Sequence, residues 1–184
     1  MHVDVIPLTE EQTLIKMVHL EPPISASLLY KFLHSTALGF INAQTQDDEL
    51  PSRMAFERIR TYCSPSFQHS WGHNYAVSVS PPLQGTHDFD GFVAHLQSML
   101  PKLESWNADV TDVVVDEVQM KVMLRISFYM RAKGAEKKVV ENDLLWALEM
   151  ERHGDVEDVK IRKSTEFVDG AAAGRLRDIM LGKV

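Results

Sequence analysis

The chain has 184 residues, 45% apolar and 24% charged, which is the profile of a globular protein of ordinary domain size. Asp plus Glu number 26 against 19 Lys plus Arg, a net charge of −7. This argues against nucleic acid and anionic membrane as partners, since phosphate binding needs a basic face. The single cysteine, Cys63, excludes an internal disulfide framework and any multi-cysteine metal site.

Residues 1–23 end in Pro22-Pro23 and read as an N-terminal arm ahead of one domain over 24–184. The stretch Met1 to Glu11 has no basic residue and lacks the charged and apolar regions of a secretory signal. No run reaches the roughly 18 apolar residues of a membrane span, so an intracellular, cytoplasmic protein is expected. From Ile24 to about Gln44, apolar residues recur at three-to-four spacing and predict a helix capped by Ser25 or Ser27. Pro51 suits the start of a second helix, which carries Met54, Phe56 and Ile59 and stops before Ser64-Pro65. Ser66 to Ser80 reads as a short extended segment followed by a loop. Asp88 to Leu100 is a third helix, with Phe89, Phe92, Val93 and Leu96 to one side.

Beyond Trp106 the pattern changes. Val110 to Asp116 is β-branched, and Val118 to Met130 alternates apolar with polar residues at strict period two. After a turn at Lys133-Gly134, a second long strand runs from about Lys138 to Met150. A turn at His153-Gly154-Asp155 leads to a strand over Val159–Val168, and Asp169 caps a terminal helix over Gly170–Leu181. The plan is α+β: three N-terminal helices on the concave face of a strongly bent antiparallel sheet, plus a short C-terminal helix.

Three segments carry a family resemblance. They are Cys63-Ser64-Pro65-Ser66-Phe67-Gln68-His69, Glu141-Asn142-Asp143-Leu144-Leu145-Trp146, and the ending Glu166-Phe167-Val168-Asp169. In order and spacing the chain resembles the nuclear-transport-factor-2-like, SnoaL-like superfamily, in particular the small isomerases and cyclases of fungal secondary metabolism. The resemblance implies a cone-shaped α+β barrel, a homodimer and no cofactor. It also implies an acid–base isomerase or cyclase acting on a hydrophobic, oxygenated polyketide- or terpenoid-type molecule. A dehydratase resembling scytalone dehydratase is the alternative reaction, and a non-catalytic binding or dimerisation module the alternative class. Val140 and Leu144 stand where the family's strand motif has Tyr, and Asp143 where it has Glu.

Glu166 is the leading candidate acid or base, because a carboxyl group in an apolar cone has a raised pKa and can exchange protons near neutral pH. The competing reading is a surface Glu paired with Lys163 or Arg162. His69, whose family counterpart often enters the cone, is expected to share the proton transfer, or to be a structural histidine. His73 follows at i+4, but Gly72 and Ser64-Pro65 argue against a helix there, so no metal site is expected. Arg60 is expected to stabilise negative charge on oxygen, with Arg53 and Arg58 as rivals. Period two puts Val140, Asn142, Leu144, Trp146 and Leu148 on the apolar face of their strand. Asn142, Trp146, Leu144, Tyr75 and His73 are therefore expected around the ligand. Arg125 and Tyr129 fall on the opposite face.

Overall fold

The computed structural model describes residues 20–134 and 138–183; most of the arm over 1–23 lies outside them. Helix α1 (Leu28–Asn42) begins at Ser27, whose hydroxyl accepts the Tyr30 N–H at 2.9 Å. Its three-to-four spacing buries Leu33, Ala37, Phe40 and Ile41. Helix α2 (Phe56–Tyr62) starts later than Pro51 suggests. The intervening chain is a turn in which Arg53 adopts φ 58° and its guanidinium holds the carbonyls of Leu100 and Leu103 at 2.8 and 3.1 Å. One helical turn, α3 (Tyr75–Ser78), stands where a loop was expected, capped by Asn74. Helices α4 (Phe89–Met99) and α5 (Gly170–Met180) start where Asp88 and Asp169 accept the orphan N–H groups of the first turn.

The strands are β1 (Cys63–Trp71), β2 (Leu103–Asp116), β3 (Lys121–Ala132), β4 (Val139–Arg152) and β5 (Val159–Phe167). Their spatial order is β1-β5-β4-β3-β2, in one curled, unclosed sheet. Three pairings are antiparallel, but β1 runs parallel to β5. The sheet is therefore mixed, which corrects the antiparallel expectation at one edge. Alternation reports which face a residue takes and says nothing of strand direction. Strand β2 also begins well before Val110, because register shifts at Leu103/Ser105 and Val110/Asp112 break its period.

The inward row of β4 is as alternation predicts: Val140, Asn142, Leu144, Trp146 and Leu148 are all buried. Phe40, Phe67, Phe92 and Trp146 form an aromatic cluster with ring centroids 5.4 to 6.4 Å apart, against α1 and α4. Such pairs add about 0.5–1.5 kcal/mol each beyond area burial. The outer face carries Arg125, Tyr129 and Asp143, with Val114, Met123, Leu145 and Phe167 exposed among them.

Candidate active site in the cone

A single irregularity in β5 decides which way Glu166 points. Val159 and Ile161 face inward, but Arg162 and Lys163 are both exposed, and Ser164 is again fully buried. The β4–β5 register shifts at this point, from Met150 opposite Ile161 to Glu149 opposite Lys163. The extra residue reverses the phase of the strand, so Glu166 turns inward with Ser164. Glu166 then lies in register between Trp71 of β1 and Trp146 of β4.

Its side chain is 13% exposed. Burial pushes the carboxyl up to about 8, partly offset by a hydrogen bond from Trp71. Glu166 is thus a neutral acid at pH 7. His69 Nε2 lies 3.9 Å from Glu166 Oε2, while its Nδ1 is 3.2 Å from the Ser164 hydroxyl. Its ring is fully buried against Trp71 and Phe92, each at a centroid distance of 4.5 Å. That burial lowers its pKa to about 3, with His95 and His87 adding repulsion. An imidazole donating Nδ1–H to Ser164 presents the Nε2 lone pair toward Glu166, and no hydrogen-bond partner meets that nitrogen among the described residues.

Glu166 opens onto a cavity of about 900 Å³ between the sheet, α4 and α5. Trp71, Phe92, Trp106, Phe128 and Trp146 give it apolar walls, and Asn142 and His95 are among its polar members. The His95 ring lies tilted against Trp71, with centroids 4.6 Å apart. Burial lowers its pKa to about 4, followed by the repulsion of His87 and Lys102. Asn142 Oδ1 accepts the Asp169 N–H at 3.2 Å, which leaves its amide N–H groups for the cavity.

No family model matches the sequence, and no curated protein does either. Solved structures do. PrhC from Penicillium brasilianum superimposes with a TM-score of 0.63 at 15% identity, over 84% of this chain and 91% of that one. BvnE pinacolase from Penicillium brevicompactum gives 0.63 at 14%, over 87% and 98%. A protein from Jannaschia sp. CCS1 assigned as a SnoaL-like polyketide cyclase gives 0.60 at 11%, over 83% and 95%. The fold is that of these SnoaL-like, nuclear-transport-factor-2-like structures.

Within this SnoaL-like cone the residues singled out by sequence part company. Glu166, Asn142 and Trp146 line the cavity together, with Tyr75 at its rim and 82% exposed. His69 sits behind the wall, in reach of Glu166 but not of the cavity. Leu144 is packed in the core, away from the cavity lining. His73 belongs to a separate groove, beside Lys163 and Thr165. Arg60 does not reach the cavity: its guanidinium lies over the Phe89 ring at 4.0 Å and pairs with Asp90 at 2.6 Å on the surface. Arg53 is committed to the backbone carbonyls above, and Arg58 is exposed. Trp71 and His95 were not foreseen. For His95 a signal existed: it lies three residues from Phe92 and four from Met99, on the inward stripe of α4.

Proposed function

We propose that this SnoaL-like cone is a cofactor-independent isomerase or cyclase that moves a proton on a hydrophobic, oxygenated small molecule of polyketide or terpenoid type. One observation carries the reading: a carboxyl group held neutral at physiological pH on the inner wall of a largely apolar cavity. A neutral acid donates a proton to a carbonyl or enolate oxygen without leaving a buried charge in the starting state. His69 acts through Glu166: its neutral Nε2 is an acceptor that can orient the carboxyl O–H when the group rotates toward it, while the proton stays on Glu166. His95, neutral above about pH 4, offers a base on the cavity side. The Asn142 amide donates to a substrate oxygen, and the tryptophans exclude water. The cavity volume falls within the usual range for small-molecule sites. The names of the similar structures, a pinacolase and an assigned polyketide cyclase, agree with this chemistry. The exposed outer sheet face supports assembly with a second copy.

The test needs no knowledge of the natural substrate. Deuterium uptake from D₂O at the α-carbon of a β,γ-unsaturated cyclic ketone is followed by NMR. The protein should accelerate uptake, and Glu166→Gln should reduce the acceleration about 10²- to 10⁴-fold, the usual contribution of a positioned acid or base. Equal exchange by the native and Gln proteins, both folded, would remove Glu166 from the mechanism.

A further inference from the structure

The charge lining the cavity runs against the charge of the chain. The protein carries −7, yet Glu166 is the single carboxyl group among the described residues that line the cavity. Opposed to it are two permanent cations, Lys102 in the turn after α4 and Arg177 on α5. Both are exposed, so they stand at the mouth, while Trp71, Trp146 and Glu166 form the base. Neither has an ion-pair partner among the described residues, although Arg53, Arg60, Arg125, Arg131 and Arg162 all do. The field of Lys102 extends into the cavity, where it is one of the charges repelling a proton from His95.

We infer that the ligand of this cavity is a hydrophobic carboxylic acid, bound with its carboxylate at the mouth between Lys102 and Arg177 and its apolar body directed inward to Glu166. The inference rests on the reading of the cavity as a small-molecule site and adds the substrate's charge and orientation. A guanidinium and an ammonium at a low-dielectric opening concentrate anions there and favour one end of an amphipathic molecule over the other. With the anionic end held outside, the oxygen to be protonated meets Glu166 while the second negative charge stays away from the buried carboxyl. A carboxylate carried to the base would face Trp146 and Phe92, with no cation to balance it.

All three tryptophans of the chain, Trp71, Trp106 and Trp146, line the cavity, so intrinsic fluorescence reports occupancy directly. The native protein, Lys102→Gln, Arg177→Gln and the double variant are titrated with decanoate and with decanol at low salt. Exposed charge pairs contribute up to about fivefold each in affinity. Decanoate binding should therefore weaken a few-fold in each single variant and about tenfold or more in the double, with decanol unchanged. Half-molar salt should bring native decanoate affinity down to that of the double variant. Thermal midpoints confirm that each variant is folded. Decanoate binding indifferent to both substitutions and to salt would overturn the inference and leave the neutral-ligand reading of the cavity standing. Failure of both probes to change the fluorescence would overturn the inference and the small-molecule reading together.

Discussion

The two faces of one sheet treat their carboxyl groups in opposite ways. On the outer face, Arg125 meets Asp143 with its Nε 3.0 Å from Oδ1, and that hydrogen bond holds the aspartate below the ordinary carboxylate range. On the inner face Glu166 has no cation beside it among the described residues, and burial keeps it protonated up to about pH 8. Outside, the charge is retained and paired, where solvent screens the pair and leaves it little net worth. Inside, the charge is given up, and a proton is available in its place. The difference follows from position in the weave. Asp143 lies on the solvated side of the regular alternation of β4, while Glu166 is turned inward by one extra residue in β5.

The largest way to break the comparison is to disturb the outer face alone. Leu145 is 45% exposed and sits beside Phe167 in register. If this face covers a second copy, Leu145→Lys should convert a dimer into a 20.9 kDa species in sedimentation at micromolar concentration. Deuterium exchange in the cavity should survive in part. A native protein that already sediments as a monomer would contradict the pairing.

A smaller effect separates the faces by pH. The folded pKa of Glu166 is raised from 4.5 to about 8, so between those values the unfolded chain has lost a proton that the folded one retains. Stability therefore falls as pH rises through that window, by on the order of 4 kcal/mol for a group so placed. His69 and His95 have folded pKa values lowered from 6.5 to about 3 and about 4. Below 6.5 the unfolded chain takes up protons that the folded one refuses, and stability falls toward acid. These three groups together place the maximum near pH 6.5. In urea titrations across pH, Glu166→Gln should remove the loss on the alkaline side and steepen the fall toward acid between pH 4.5 and 6.5, where Glu166 offsets part of the histidine effect. Parallel profiles for the native and Gln proteins would mean that Glu166 is not buried as a neutral acid.

Much of the architecture was legible because it rests on uninterrupted periodicity. The inward row of β4, the outward placing of Arg125 and Tyr129, and the cap at Asp169 all follow from spacing and side-chain chemistry. What failed was local. Alternation counted forward from Val159 and Ile161 would send Glu166 outward, since nothing in Ile161-Arg162-Lys163-Ser164 announces a bulge. The resemblance pointed Glu166 inward, against that period. Arg60 was misplaced because an arginine at a helix end reads alike whether it reaches a cavity or lies over Phe89. The parallel neighbour of β1 comes from the far end of the chain, beyond any short-range pattern. Lys102 and Arg177 share a cavity only because the turn after α4 and helix α5 both come to line it.

The central claim is that Glu166 is a neutral acid in the folded cone at physiological pH. It is tested most directly by titrating that one carboxyl in the intact protein, with ¹³C-labelled glutamate and Glu166→Gln to assign the resonance. A midpoint near 8 is expected, well above the ordinary glutamate value of 4.5. A midpoint near the ordinary value of 4.5 would show an ionised Glu166 throughout the physiological range and contradict it.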